Sequence, residues 1–305
     1  MTFRRATGWV VVGLVVTLAS AEALVRVSGL LEFPLFAVDD EIGYIPRPHQ
    51  HGCFLIERCW VFNDRSMATA TDWNPALHSN ILLIGNSIVM GGGHFDQRER
   101  IAALLQDRLG PIYSVWPIAA NGWTNVNEAV YLERHPEVLQ NTQTFVWEFM
   151  TGGLSQPTPW AGEYVWPSKR PKWASWYALR RFVLPRFIDF NTSELPPQGA
   201  IRPLYLAGFE AKLAEISRAT ARSNPGIILL YPNRAQLLTA HEGKEWLPER
   251  QELERLSGQY ELTLLDLAKR PEWKESLYRE DIHPTVEGNR VLAALLSAAI
   301  KDSLR

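Results

Sequence analysis

From residue 80 onward, short and almost wholly apolar runs alternate with segments of helical period, and this alternation restricts the fold more than any other feature. The runs are "NILLIG" (80–85), "IYSVWPI" (112–118), "TFVWEFM" (144–150), "GIILLYP" (226–232) and "LTLLDL" (262–267). Between and after them lie "RERIAALLQDRLG", "NVNEAVYLERHPEVL", "LAGFEAKLAEISRATARS", "PERQELERLS" and "VEGNRVLAALLSAAIKDSL". Runs of that length without polar alternation read as strands buried on both faces, and helices between consecutive strands demand crossover connections. The pattern predicts a parallel sheet with helices on both sides. One interruption, residues 151–203, carries neither period and holds Trp160, Trp166, Trp173 and Trp176 among prolines and basic residues. Long irregular segments in compact domains are usually functional loops or lids. Its tryptophans either stack on sugar rings, sit at a membrane interface, or fill a satellite core beneath the loop.

The first thirty residues stand outside this scheme. Arg4 and Arg5 precede an uncharged run, residues 6–21, that ends at Glu22. At about 1.5 Å per residue it falls slightly short of the roughly 20 residues a membrane span needs. Ala19-Ser20-Ala21 fits a signal-peptidase site, which makes a cleaved signal peptide one reading. The other is an uncleaved anchor, the helix continuing through Glu22 to Val25 with Arg26 beyond it, and the apolar Leu24 and Val25 favour it. In both readings the arginines stay cytoplasmic and the body is exported. The expected organisation is an anchor at 1–30, an exported extension at 31–79, and an α/β domain at 80–305 with the insertion at about 151–203. This places a single-pass protein in the inner membrane with its domain on the periplasmic side.

Export bears on the only two cysteines. Cys53 and Cys59, in "CFLIERC", are spaced for a small disulfide loop, with two buried thiols as the alternative. His49 and His51 lie nearby, but the spacing matches no standard zinc ligand set, so no metal and no cofactor is expected. A formal charge of −2 leaves no basic footprint for nucleic acid.

The chemistry gathers at one edge. In open α/β sheets ligands collect where the strands end at their carboxyl side. Ser87 follows the first strand there, Gly122 the second, and Asp281 and His283 follow the last. These stretches resemble the SGNH (GDSL-like) hydrolase family from about residue 80 to the end. "IGNS" corresponds to the block carrying the nucleophile, Gly122 in "NGW" to the oxyanion-hole glycine, and "DIHPTVEGNRVLA" to the last block. The resemblance implies a flavodoxin-like three-layer sandwich with about five parallel strands. It implies Ser87 as nucleophile, His283 as base, Asp281 as the group orienting the imidazole, and the Ser87 and Gly122 amides as oxyanion donors. The N-terminal "SAEALVRV" and "DDEIGYIPRP" look like membrane-anchored members associated with polysaccharide modification.

Two departures accompany the match. Asn86 replaces the family's usual Asp, and "EFMTGGL" puts Gly152 or Gly153 where an asparagine donor is expected. A missing oxyanion donor costs ~10²–10³ in turnover. Asn121 and Thr151 are the nearest polar substitutes in sequence, and His94 is a rival base without an adjacent carboxylate. The expected function is a serine esterase or O-acyltransferase acting on an acylated glycan, alongside envelope polysaccharide machinery. Two alternatives remain open: a lipid or small-ester hydrolase, and a catalytically weak glycan-binding or assembly subunit.

Overall fold

A computed structural model describes residues 2–76, 79–188, 201–220 and 224–304. Part of the expected insertion, residues 189–200, therefore lies outside the described residues. The chain opens with α1 (Thr2–Val27), followed by two antiparallel hairpins, β1 (Phe36–Asp39) with β2 (Gly43–Pro46) and β3 (Gln50–Phe54) with β4 (Arg58–Phe62). The α/β part then runs β5 (Asn80–Gly85), α2 (Ser87–Met90), α3 (Ile101–Leu109), β6 (Ser114–Ala119), α4 (Asn125–Arg134) and β7 (Thr142–Phe149). It continues through α5 (Ala174–Ala178), α6 (Pro203–Ala219), β8 (Ile227–Leu230), α7 (Arg234–His241), α8 (Arg250–Gln259), β9 (Thr263–Asp266) and α9 (Val286–Ser303).

The five apolar runs form one parallel sheet in the order β6-β5-β7-β8-β9. All of β5 and β8 is buried, as strands covered on both faces must be. The chain starts in β5, moves outward to β6, then crosses back to β7 and onward. Right-handed crossovers therefore put α3 on one face and α4 and α6 on the other. α3 packs on α9 and α4 on α6, which completes a three-layer, flavodoxin-like sandwich. The strand order reverses between β5 and β7, so a crevice opens at their carboxyl ends. Ser87 stands there, on the first residue of α2.

The hairpins of residues 31–79 close one side of this crevice. The Tyr44 hydroxyl donates to the Asn121 carbonyl, the Trp123 indole N–H donates to the Tyr44 carbonyl at 2.9 Å, and Asn127 Nδ2 donates to the Ile42 carbonyl at 2.7 Å. Tyr44 is fully buried and stacks on Trp166, centroids 4.7 Å apart. Cys53 and Cys59 are opposite partners in the β3–β4 ladder and are joined by a disulfide, their Cα atoms 3.8 Å apart.

α1 extends from the body with the side chains of Gly8–Val27 forming a 20-residue stretch apolar enough to cross a membrane. Its last turns touch the rest of the protein at α5. Glu22 accepts hydrogen bonds from the Ala174 and Ser175 N–H groups at 2.9 and 2.8 Å, and Arg26 donates to the Lys172 carbonyl at 2.7 Å.

Candidate active site

The turn that carries Ser87 is built from β5 outward. Gly85 ends the strand because the space a side chain would need is taken: a Cβ there would lie 2.6 Å from Glu148 Oε2. Glu148, from β7, is buried beneath the turn and accepts from the Asn86 N–H at 3.0 Å and from Asn86 Nδ2 at 3.2 Å. The Asn86 carbonyl oxygen of the side chain in turn caps α2 by accepting from the Ile88 N–H at 3.0 Å. Asn86 thus uses both ends of its amide, one on the carboxylate and one on the helix, where an aspartate would set two carboxylates against each other. Burial raises the Glu148 carboxyl to about 7. Glu128, buried nearby and bonded to Trp147 and Asn125, is raised well above the ordinary range by burial and by the Glu148 charge.

Beyond α2, the buried Arg100 donates to the Met90 and Gly92 carbonyls at 3.1 and 3.2 Å. A cation over the last carbonyls of a short helix holds the loop that follows Ser87.

The second half of the site comes from the loop before α9. Thr285 caps that helix by accepting from the Gly288 N–H at 3.0 Å. Gly288 is tight against Leu277, whose carbonyl would sit 2.5 Å from an added Cβ, and Asn289 Nδ2 donates to the Glu99 carbonyl at 2.9 Å. Between these anchors the chain folds back, the Arg279 N–H donating to the His283 carbonyl at 2.9 Å. His283 Nε2 lies 2.9 Å from Ser87 Oγ across a sequence separation of 196 residues.

The group on the other imidazole nitrogen is Glu280, not Asp281: Glu280 Oε1 bonds His283 Nδ1. In this tight turn the residue three before the histidine returns over the ring. The one two before it is exposed and engages through its backbone carbonyl, which accepts from the Arg234 N–H at 2.7 Å. Burial alone would raise the Glu280 carboxyl, but the His283 hydrogen bond and the His283 and Arg279 charges outweigh it and hold it below the usual range.

These residues open onto a cavity of about 880 Å³. Ser87, Gly122, Asn121, Thr151, His94 and His283 all line it. Gly122 has φ +80°, and a Cβ would come within 2.9 Å of the Trp166 ring and 3.0 Å of the Tyr44 hydroxyl, so only glycine fits. Gly152 does not supply the missing donor, because its N–H is committed to Glu249 Oε1 at 2.7 Å. Asn125 lies under Gly153 with its Nδ2 donating to Glu128 and to the Glu148 carbonyl, and is likewise occupied. Thr151 Oγ1 accepts from Gln236 Nε2 at 2.6 Å, which leaves its own hydroxyl proton to donate. Asn121 gives its carbonyl to Tyr44 while its side-chain Oδ1 is buried with no protein partner. His94 is lowered by burial and by the neighbouring Arg279 charge, and it makes no hydrogen bond to Ser87 among those described. The remaining charges on the wall, Arg58, Arg181 and Arg279, are all positive. Among the described residues no cluster of His, Cys, Asp and Glu is arranged to hold a metal ion.

Glu280 and Glu148 are the two residues that sequence reasoning missed. A lone glutamate inside the apolar run "TFVWEFM" is the signal that marks Glu148; nothing in "REDIH" separates Glu280 from Asp281 without the turn geometry.

No protein-family model matches the chain, and no curated protein matches it. Among solved structures, it is similar to an alpha/beta hydrolase enzyme from the metagenome of Lake Arreo, Spain, at 17% identity and TM-score 0.46, covering 75% of this chain and 98% of that one. It is similar to a member of the lipolytic protein G-D-S-L family from Veillonella parvula, at 11% identity and TM-score 0.44, covering 73% and 98%. A third likeness is to a carbohydrate acetylesterase from Sinorhizobium meliloti, at 11% identity and TM-score 0.43, covering 73% and 99%.

Proposed function

We propose that this chain is a membrane-anchored serine esterase of the SGNH type, and that it cleaves an acyl ester on a glycan through an acyl-serine intermediate. One observation carries the reading: Ser87 Oγ, His283 and Glu280 stand in a hydrogen-bonded line, 2.9 Å at the serine, with Ser87 and His283 on the wall of a large cavity. His283 Nε2 takes the Ser87 proton as Oγ attacks the ester carbonyl, and Glu280 stabilises the imidazolium that forms. The oxyanion is met by the Ser87 and Gly122 N–H groups, with the Thr151 hydroxyl as a third donor. His283 then returns the proton to the leaving alcohol, and the acyl group stays on Ser87. Water attacking the acyl-serine completes hydrolysis; a sugar hydroxyl in its place completes acyl transfer.

The aromatic wall, with the half-buried Trp166, offers a flat face of the kind sugar rings stack on. A second reading, ester cleavage on an amphiphile, is favoured by Phe33, Phe54 and Phe182 on the same wall. The test uses full-length protein in detergent. A phosphonate probe should label Ser87 in the native protein, and p-nitrophenyl acetate should be hydrolysed. Ser87→Ala should abolish both with an unchanged melting temperature. Turnover of p-nitrophenyl acetate by Ser87→Ala at the native rate would overturn the reading.

A further inference from the structure

The segment of residues 173–188, helical from Ala174 to Arg186, leaves one set of its apolar side chains bare. Trp173 is 71% exposed, Trp176 57%, Phe187 80% and Ile188 51%, and Val183 is exposed beside them. Arg180 and Arg186 are exposed among these residues. Aromatic and aliphatic side chains interleaved with arginines on a short helical segment suit the boundary between lipid headgroups and acyl chains.

What covers this surface follows from its attachment to α1. Glu22, which binds the first N–H groups of α5, lies five residues before Val27, the end of the apolar stretch. Five residues are about 7.5 Å along a helix axis. A 20-residue span just matches a hydrocarbon core of about 30 Å, and the headgroup layer adds roughly 5–8 Å on each side. A helix that fills that core with Gly8–Val27 therefore sets Glu22, and with it the first turn of α5, about 7.5 Å inside the outer boundary between acyl chains and headgroups. Trp173 and Trp176 then have no way to stay clear of the membrane.

We infer that residues 173–188 form a second membrane contact, lying in the outer surface of an anionic bilayer beside α1, and that the Ser87 cavity opens onto this surface. The second part rests on the same segment: Tyr177, Arg181 and Phe182, on its other side, line the cavity. A substrate entering past them is taken from the membrane plane, which points to an ester borne by a lipid or a lipid-linked glycan. The inference depends on the anchor of the proposed function, and its depth readout is independent of catalysis.

The test places the full chain in nanodiscs of phosphatidylethanolamine and phosphatidylglycerol. Trp173→Cys and Phe187→Cys each carry a nitroxide, Cys53 and Cys59 being held in their disulfide. Ile112→Cys, at a 78% exposed position on the amino-terminal edge of the sheet, is the aqueous control. Power saturation with oxygen and a nickel chelate should give accessibility ratios at Trp173→Cys and Phe187→Cys about fivefold or more above the control. Ratios equal to the control would overturn the membrane contact. For the opening, a Trp173→Ser/Phe187→Ser double variant should lose about tenfold in turnover of p-nitrophenyl palmitate dissolved in the disc, with p-nitrophenyl acetate turnover unchanged. Unchanged palmitate turnover, or an equal fall in both, would overturn it. Failure of the native protein on both esters, with deep labels, would sink the esterase reading and leave the membrane contact standing.

Discussion

Replacing Glu280 by glutamine keeps a side chain of the same length against His283 Nδ1 but removes its charge. A hydrogen bond to a charged group is worth about 1.5–3 kcal/mol, or roughly ten- to hundredfold in rate if it is realised only as the imidazolium forms. A buried triad aspartate is worth up to about 10⁴, but the Glu280 side chain is 52% exposed and solvent screens its field. The expected loss in kcat is therefore about 10- to 30-fold, near the lower end of the charged hydrogen-bond range. KM should hold, because the contact strengthens only in the transition state. Asp281→Asn should stay within about twofold of native, since that side chain does not reach the ring. The assay is p-nitrophenyl acetate hydrolysis, paired with the rate of phosphonate labelling at Ser87, which reads the nucleophile without a leaving alcohol. Should Asp281→Asn fall further than Glu280→Gln on both measures, the assignment of the orienting carboxylate would be refuted.

Glu148 predicts a pH-dependent stability. Its carboxyl ionises near 4.5 when unfolded and at about 7 when folded, so the stability present below pH 4.5 is lost as pH rises through 7, by about 3 kcal/mol. Glu148→Gln should flatten that slope in urea titrations at pH 5 and 8; equal slopes would place the titration elsewhere. Opening the Cys53–Cys59 loop by changing both to serine should cost about 2 kcal/mol of stability, and a thermal melt unchanged by the substitutions would contradict it. Gly122→Ala should lower both the melting temperature and kcat, at about 1–3 kcal/mol, because the added methyl meets Trp166 and Tyr44 in a backbone conformation that disfavours it. A native melt for that variant would mean the hairpin wall yields more easily than its packing suggests.

The sheet was readable from sequence because its strands are buried on both faces, so that apolar runs such as 80–85 and 226–232 stand out against the helices. The edge carrying Ser87, Gly122 and His283 followed from the same topology. What stayed hidden depends on three-dimensional detail. The strands β1 to β4 are four or five residues long and half-exposed, and "QHGCF" or "FAVD" has no alternation to betray it. The helix expected across 125–139 stops at Arg134, since Pro136 cannot continue it and begins a separate 3-10 turn. α7 buries one residue, Leu237, and so shows little apolar period. Whether Gly152 aims its N–H at the cavity or at Glu249 is a matter of one peptide plane, which residue identity does not encode.

The wall made by the hairpins has a consequence in time. Tyr44 closes on Asn121 across 77 residues and Ile42 on Asn127 across 85, so both hairpins emerge well before the chain they lean on. At roughly 5–20 residues per second, synthesis alone separates the two by several seconds. Through that interval Phe36 and Tyr44, both buried in the finished protein, have each other but lack Trp166, the later ring that both pack against. The Cys53–Cys59 loop spans only six positions and can close locally, ahead of any sheet. Oxidation thus comes early and the cavity comes last. A walled cavity exists only once β6 and α4 have arrived to receive hairpins made in advance.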